Sequence, residues 1–452
     1  MRRNMACLAL VVLSLALAAP AIGAAAQPAS SYLIQISGAG PADLSGKVAA
    51  AGGTLTWVRP EIGYASATSA DPDFAGKLKN GGGVQSVDQD FQVQWVPTAQ
   101  QAQVQTVSSS GASASAAPTS AFFYACQWNL AQIDAPGAWA KGFFGSPGVK
   151  VAVLDTGVDP FHIDLSGKID TANSTSVLTP GSSPCGPFDE GTIFDLDFHG
   201  SFVSGLITSN SLGIAAVAPN AHVVAVKVLN CVGSGSFSDI ISGIVYAANL
   251  PDVDVLNMSL GAGFPKNLKG AGPLVAALNK AVNYAGSQGK LVVSAAGNSA
   301  VDMDKDGNVT WVPAQSGSGL GIYATDNQDH LASYSNHGVS GTWVGAPGGD
   351  FPNAAPPLPG CVVPPFLQGL MISVCSSFVC GNSSTYLVAD GTSFASPTVA
   401  GVAALVDGKH GGALDAGQLK TILSQSADDL GKPGTDNLFS HGRVNANQAV
   451  DH

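Results

Sequence analysis

The sequence predicts an α/β protein: a parallel, mostly doubly wound sheet preceded by a small α+β unit. The first observation is a set of continuous apolar, β-branched runs, VKVAVLD, AHVVAVKVL, VDVLNMSL and KLVVSAAG. Runs without polar alternation suit strands buried on both faces. The second is what lies between them: HGSFVSGLI, FSDIISGIVYAANL and LVAALNKAVNYAGSQG read as helices. Strand–helix alternation implies parallel pairing, with chemistry at the loops after the strands' carboxyl ends. The third is the order of elements over residues 31–96, β-α-β-β-α-β, which is ferredoxin-like.

The elements follow in chain order. MRRNMACLALVVLSLALAAPAIGAAAQP has two arginines, an apolar stretch and then small residues, and reads as a secretory signal peptide over residues 1–26. Its apolar run is shorter than the ~20 residues a membrane span needs. Residues 27–97 hold the small unit. SYLIQIS is a strand, PADLSGKVAAAGG a helix stopped by glycine, and TLTWVRPEIGYASAT one or two strands. DPDFAGKLKNGGG is a second helix and VQSVDQDFQVQWV a closing strand. Residues 98–120 show no apolar periodicity and are expected to be a flexible linker. Residues 121–452 form the large α/β domain.

Composition narrows the function. Charged residues are 11% of the chain and the formal net charge is −12, which argues against nucleic acid as a partner. Glutamate occurs only as Glu61 and Glu190, so the acid is almost all aspartate, a residue of turns and caps. Beyond Cys7 there are six cysteines, Cys126, Cys185, Cys231, Cys361, Cys375 and Cys380. In an exported chain an even count suggests up to three disulfides, with about 15 pairings open.

Four polar residues sit where a packed core does not require them. Asp155 ends VAVLD, His199 opens a helix, Asn298 follows a strand in SAAGNS, and Ser393 stands in GTSFASPTVAG. From Ser393 onward SFASPTVAGVAALV has no polar face, so its helix is buried. Pro397 argues that this helix begins just before it, at Thr392 and Ser393. Singly, each residue has an ordinary structural explanation, such as a turn cap or a satisfied histidine. Jointly they supply what acyl transfer needs. A serine hydroxyl needs a base near neutrality, and imidazole provides one. A carboxylate fixes the imidazole's tautomer. An amide N–H and a helix-start N–H can meet an oxyanion.

LDTGVD, HGSFVSG, VLNMSLG, AAGNS and GTSFASPTVAG, in this order, resemble the motifs of the subtilisin-like serine proteases, or subtilases. The resemblance runs from WNLAQIDAPGAW to HGRVNANQAV, and KVLNCVGSGSFSDIISGI looks especially like the proteinase K branch. It implies Ser393 as nucleophile, His199 as general base and then acid, and Asp155 as its orienter. It implies Asn298 as an oxyanion donor beside the Ser393 N–H. Ser259, Leu260 and Gly261 would form an edge that takes extended peptide by strand addition. Residues 27–97 resemble the family's inhibitory prodomain. The implied protein is a secreted endopeptidase made as a zymogen. It would act broadly on polypeptides, be inhibited by its own prodomain, bind neither nucleic acid nor membrane, and be a monomer when mature. A narrow processing protease, or an inactive binding protein, is the alternative. No cofactor is implied for the chemistry.

The pattern also departs from the family's. Phe202 replaces a histidine and Ser201 a threonine in HGTHVAG, and Phe198 replaces the glycine before the catalytic histidine. Segment 348–386 is long and holds three cysteines, so it is expected to be a disulfide-pinned insertion near the site. Finally, Asp302, Asp304, Asp306 and Gly307 match the first half of a calcium loop. Pro313 at the twelfth position excludes a full EF-hand, and a structural calcium is the remaining expectation.

Overall fold

A computed structural model describes residues 29–38, 40–97, 105–108, 117–351 and 357–452. The segment read as a signal peptide, and most of the expected linker, lie outside these residues. Among the described residues no helix is long and apolar enough to cross a membrane.

The four apolar runs are the inner strands of the large sheet: Lys150–Asp155, His222–Lys227, Val253–Met258 and Leu291–Ala295. Across the seven-stranded sheet the order is Val344–Pro347, Leu320–Thr325, Leu291–Ala295, Val253–Met258, Lys150–Asp155, His222–Lys227, Thr175–Ser176. The pairings are parallel, with Asp155 opposite Lys227 and Leu256 opposite Ala152. From Lys150–Asp155 the chain first builds to one side and then crosses to the other. A crevice therefore opens beyond the carboxyl end of this central strand.

Alternation along Lys150–Asp155 divides the core. Val151 and Val153 face one cluster, with Phe202, Ile207 and Val399. Ala152 and Leu154 face the other, with Phe237, Ile244 and Leu278. Helices His199–Ile207 and Thr392–Lys409 cover the first face, and Phe237–Ala248 and Ala271–Ser287 the second. Helix Thr392–Lys409 is buried through Asp407, as its lack of a polar face predicts. Its start differs in one respect. Pro397 is the sixth helical residue, past the first turn. Its missing N–H leaves the Ser393 carbonyl, four residues back, without a helical donor.

The N-terminal unit is a four-stranded antiparallel sheet ordered Gly53–Arg59, Tyr64–Ser69, Ser30–Ile36, Val84–Gln89, with helices Leu44–Ala50 and Phe74–Lys79. The expected closing strand breaks at Asp90. Residues Gln92–Gln94 leave the sheet and pair antiparallel with Ser234–Ser236 of the large domain. The cause is local: the Asp90 carboxylate accepts the N–H groups of Phe237 and Ser238, capping the large domain's helix. A second difference concerns the segment expected to be a flexible linker. Within it, Gln105–Ser108 is a strand, paired antiparallel with Thr385–Ala389.

Three disulfides join Cys126–Cys361, Cys185–Cys231 and Cys375–Cys380. The first closes a separation of 235 residues and ties segment 348–386 to the start of the large domain. The third closes only 5 residues within that segment. Removing Cys126–Cys361 by a double alanine substitution is expected to cost about 2–5 kcal/mol in urea unfolding. Removing Cys375–Cys380 is expected to cost clearly less, because loop-closure entropy grows with loop length.

Candidate active site

Asp155 is the last residue of the central strand and is fully buried. Its Oδ1 accepts the Thr156 N–H at 2.7 Å. His199 opens the helix that begins just beyond the strand's end. Its Nδ1 lies 2.8 Å from Asp155 Oδ1 and 3.0 Å from Oδ2. A carboxylate only accepts, so Nδ1 carries the proton and Nε2 is left as the basic nitrogen. Nε2 has no protein partner.

The backbone around His199 is held by a residue that the sequence reading did not single out. Asp195 Oδ1 accepts the N–H groups of Asp197 and Phe198 and the Thr156 hydroxyl. Its Oδ2 accepts the Ser201 N–H. One carboxylate thus caps the helix start and ties it to Thr156, beside Asp155. The available signal was its position, four residues before the histidine, where an acid complements a helix N-terminus. Lys227 adds a second anchor. Fully buried, it pairs with Asp189 at 2.6 Å and donates to the Phe194 carbonyl at 2.6 Å. Phe198, where the family has glycine, has φ of 131°, in the region that favours glycine. The side chain is buried beside the imidazole, so packing holds the strained backbone. Phe202, in place of the family's second histidine, packs its ring on Phe394 at 4.3 Å between centroids. Ser201 accepts the Asp159 N–H.

Ser393 is the second residue of helix Thr392–Lys409, and Gly391 caps that helix. Its Oγ donates to the Ser259 carbonyl at 3.0 Å. The hydroxyl is therefore held on the carbonyl that follows strand Val253–Met258, and it makes no hydrogen bond to His199 Nε2. Asn298 stands at the cleft surface. Its Oδ1 accepts both the Thr392 N–H at 2.9 Å and the Thr392 hydroxyl at 2.7 Å. Because a backbone N–H can only donate, the oxygen's place is fixed and the amide N–H groups remain for a ligand. Thr392 also accepts the Gly297 N–H, locking the two loops together.

A cavity of about 230 Å³ lies at this convergence, lined by Gly261, Asn298, Thr392 and Ser393. Gln94, Trp95, Val96 and Pro97 from the N-terminal unit line it as well. Gly261 donates its N–H to the Trp95 carbonyl at 3.1 Å. Leu260 instead turns its side chain into the core, and Ser259 offers its carbonyl to Ser393. On the other side Trp95 donates its backbone N–H to Gly233 O and its indole N–H to Gly235 O. The indole is packed by Phe237 and Phe264 at 5.2 and 5.9 Å between centroids. The Gly233–Gly235 side of the cleft was not anticipated.

The proposed calcium residues do not fit a cation site. Asp302 is engaged by Lys305, the Asp304 N–H and Asn437. Asp304 accepts from Val339, Ser340 and Asn437, and Asp306 from the Trp311 indole. Among the described residues no group of three or more histidine, cysteine or acidic side chains could hold a metal. These carboxylates close a hairpin onto segment 338–340 and Asn437.

Electrostatics favour a charged imidazole. Burial disfavours the imidazolium, but the facing Asp155, Asp197 and Asp195 outweigh it and hold the His199 pKa above the usual 6.5. Asp197 itself is pushed up to about 7, chiefly by burial and then by Asp195, against the pull of His199.

The Subtilase family profile matches residues 146–442. Subtilisin Savinase of Lederbergia lenta is 36% identical over 325 residues, 72% of this chain and 98% of its own length. Thermitase of Thermoactinomyces vulgaris is 32% identical over 337 residues, covering 74% and 99%. A thermophilic serine proteinase of Bacillus sp. (strain AK1) is 34% identical over 313 residues, 68% of this chain and 63% of that relative's length. Among solved structures, the epidermin leader peptide processing serine protease of Staphylococcus aureus superposes with a TM-score of 0.75 over 94% of this chain and 98% of its own. At 22% identity that likeness shows the fold alone. A lanthipeptide protease gives a TM-score of 0.60 at 28% identity, over 73% and 95%. The chain belongs to the subtilase family of serine proteases. These relatives do not single out the proteinase K branch.

If His199 must be neutral to act, kcat/KM should rise with pH through an ionisation above 6.5. Asp197→Asn removes one of the carboxylates that raise this pKa, so the acid limb should move to lower pH. A pH–rate profile of the two enzymes checks the shift, and an unmoved limb would refute the assignment.

Proposed function

We propose that this chain is a secreted serine endopeptidase made as a zymogen, with Ser393 as nucleophile, His199 as base and then acid, and Asp155 as its orienter. One observation carries the reading. His199 is paired with Asp155 and its ring lies 5.7 Å from that of Phe394, the residue after Ser393, while Ser393 and Asn298 line a cleft that the protein's own residues 94–97 also line. Rotation of Ser393 Oγ from the Ser259 carbonyl to Nε2 lets the imidazole take its proton as the oxygen attacks a substrate carbonyl. The oxyanion then meets the Ser393 N–H at the helix start and the Asn298 amide. The protonated imidazole, stabilised by Asp155, returns the proton to the leaving amine, and water repeats the cycle on the acyl-enzyme.

Residues 27–97 act in this reading as an inhibitory prodomain. Trp95 buries its ring in the large domain, a contact worth about 2–3 kcal/mol, and Asp90 caps that domain's helix. The maturation cut is taken in this reading to fall between Pro97 and Gln105. Cleavage is taken as broad. A narrower, dedicated role is the second reading, supported by the aromatic side chains that enclose Trp95. Site preferences read from a digest of a denatured proteome separate the two.

A fluorophosphonate probe is expected to label Ser393 once the prodomain has left, and Ser393→Ala precursor should stay uncut. An unlabelled Ser393 would mark an inactive binding protein instead. Asn298→Ala should lower kcat by about 10²–10³ with little change in KM, a magnitude taken from subtilisin.

A further inference from the structure

The strand Thr385–Ala389 leads directly into Gly391, Thr392 and Ser393. One of its sides pairs with Met371–Val374. Its other side pairs antiparallel with Gln105–Ser108, Val388 opposite Gln105 and Thr385 opposite Ser108. The polarity is informative. Going from residue 105 to 108 the chain runs from Val388 towards Thr385, away from Ser393. In chain order these residues follow segment 92–97, so a polypeptide bound in the same order would bring its later part to this strand. The lengths agree as well. Val388 lies five residues before Ser393, roughly 17 Å of extended chain. The eight peptide steps from Pro97 to Gln105 reach at most roughly 28 Å. The precursor's own chain is thus held by antiparallel pairing at two places, at Ser234–Ser236 and at 385–388, the second on the strand that leads into Ser393.

We propose that the edge 385–388 is a second peptide-binding edge, taking the part of a polypeptide C-terminal to the cut bond by strand addition, and that residues 105–108 occupy it in cis as a competing strap after prodomain removal. The ligand class is extended polypeptide reaching about five or more residues past the scissile bond. Backbone pairing confers affinity there without demanding particular side chains. The strap remains covalently joined to the large domain, so its local concentration is of order mM, far above a micromolar substrate. It would therefore blunt the advantage that long substrates gain from the edge. This proposal rests on the endopeptidase reading above.

The test compares two quenched peptides sharing one cleavage sequence, one ending two residues past the cut bond and one ten residues past it. They are assayed on mature enzyme from the full-length chain and from its Thr106→Pro/Val107→Pro variant, since proline breaks a ladder pairing. In the variant kcat/KM for the long peptide should rise about tenfold, while the short peptide is unchanged. A variant lacking residues 105–108 should behave alike. A synthetic peptide of residues 101–110, added in trans, should inhibit either variant on the long peptide only. Equal response of both peptides, or no gain for the long one, overturns the proposal. Fluorophosphonate labelling of Ser393 is read in parallel: intact labelling with no length effect sinks the edge alone, and absent labelling sinks the endopeptidase reading with it.

Discussion

Everything in the cleft depends on one buried contact, the imidazole of His199 against the carboxylate of Asp155. The two groups come from elements of opposite character, a strand's last residue and a helix's first. The contact exists only if the loop that leads into His199 is rigid. Asp195 supplies that rigidity by accepting N–H groups from Asp197, Phe198 and Ser201 while holding the Thr156 hydroxyl. The cost is visible in the same loop. Phe198 sits at a φ that favours glycine, and Asp197 is buried close to two other carboxylates. Strain and charge crowding collect here because the chemistry needs a base whose protonated form is stabilised.

The same logic extends to the proposed nucleophile, Ser393. Ser393 rests on a carbonyl while the segment 92–97 fills the cleft, and Asn298 is oriented by Thr392 rather than by any ligand. A site whose donors are aligned by neighbouring protein groups needs little reorganisation when charge develops. The N-terminal unit holds the cleft with the cleft's own means: strand pairing, a buried indole and a helix cap. Under the proposed function, inhibition and substrate binding would share one geometry.

Much of this was legible in the residues. Continuous β-branched runs can only be strands buried on both faces, and they are the sheet's centre. The outer strands Leu320–Thr325, Val344–Pro347 and Thr175–Ser176 were not named in advance. They are short and mixed with glycine and polar residues, and their strand state comes from pairing to a neighbour already in place. Asp155, His199, Asn298 and Ser393 were legible because polar groups at strand ends and helix starts have few structural duties. Asp195 looked like any loop aspartate. The calcium expectation finds no support, since Asp302 and Asp304 accept N–H groups from their own loop, from segment 338–340 and from Asn437.

By itself the amino-acid sequence determined the layered α/β class, the strand and helix identities at the centre, and the residue types able to perform acyl transfer. Those properties are local, since periodicity and side-chain chemistry are present in each segment alone. Tertiary structure decided which cysteines pair, that Asp90 and Trp95 belong energetically to the other domain, and that residues 105–108 become a strand beside the nucleophile's own. Apart from the Cys185–Cys231 and Cys375–Cys380 pairings, each depends on a partner more than a hundred residues away, and only the folded chain brings that partner within reach.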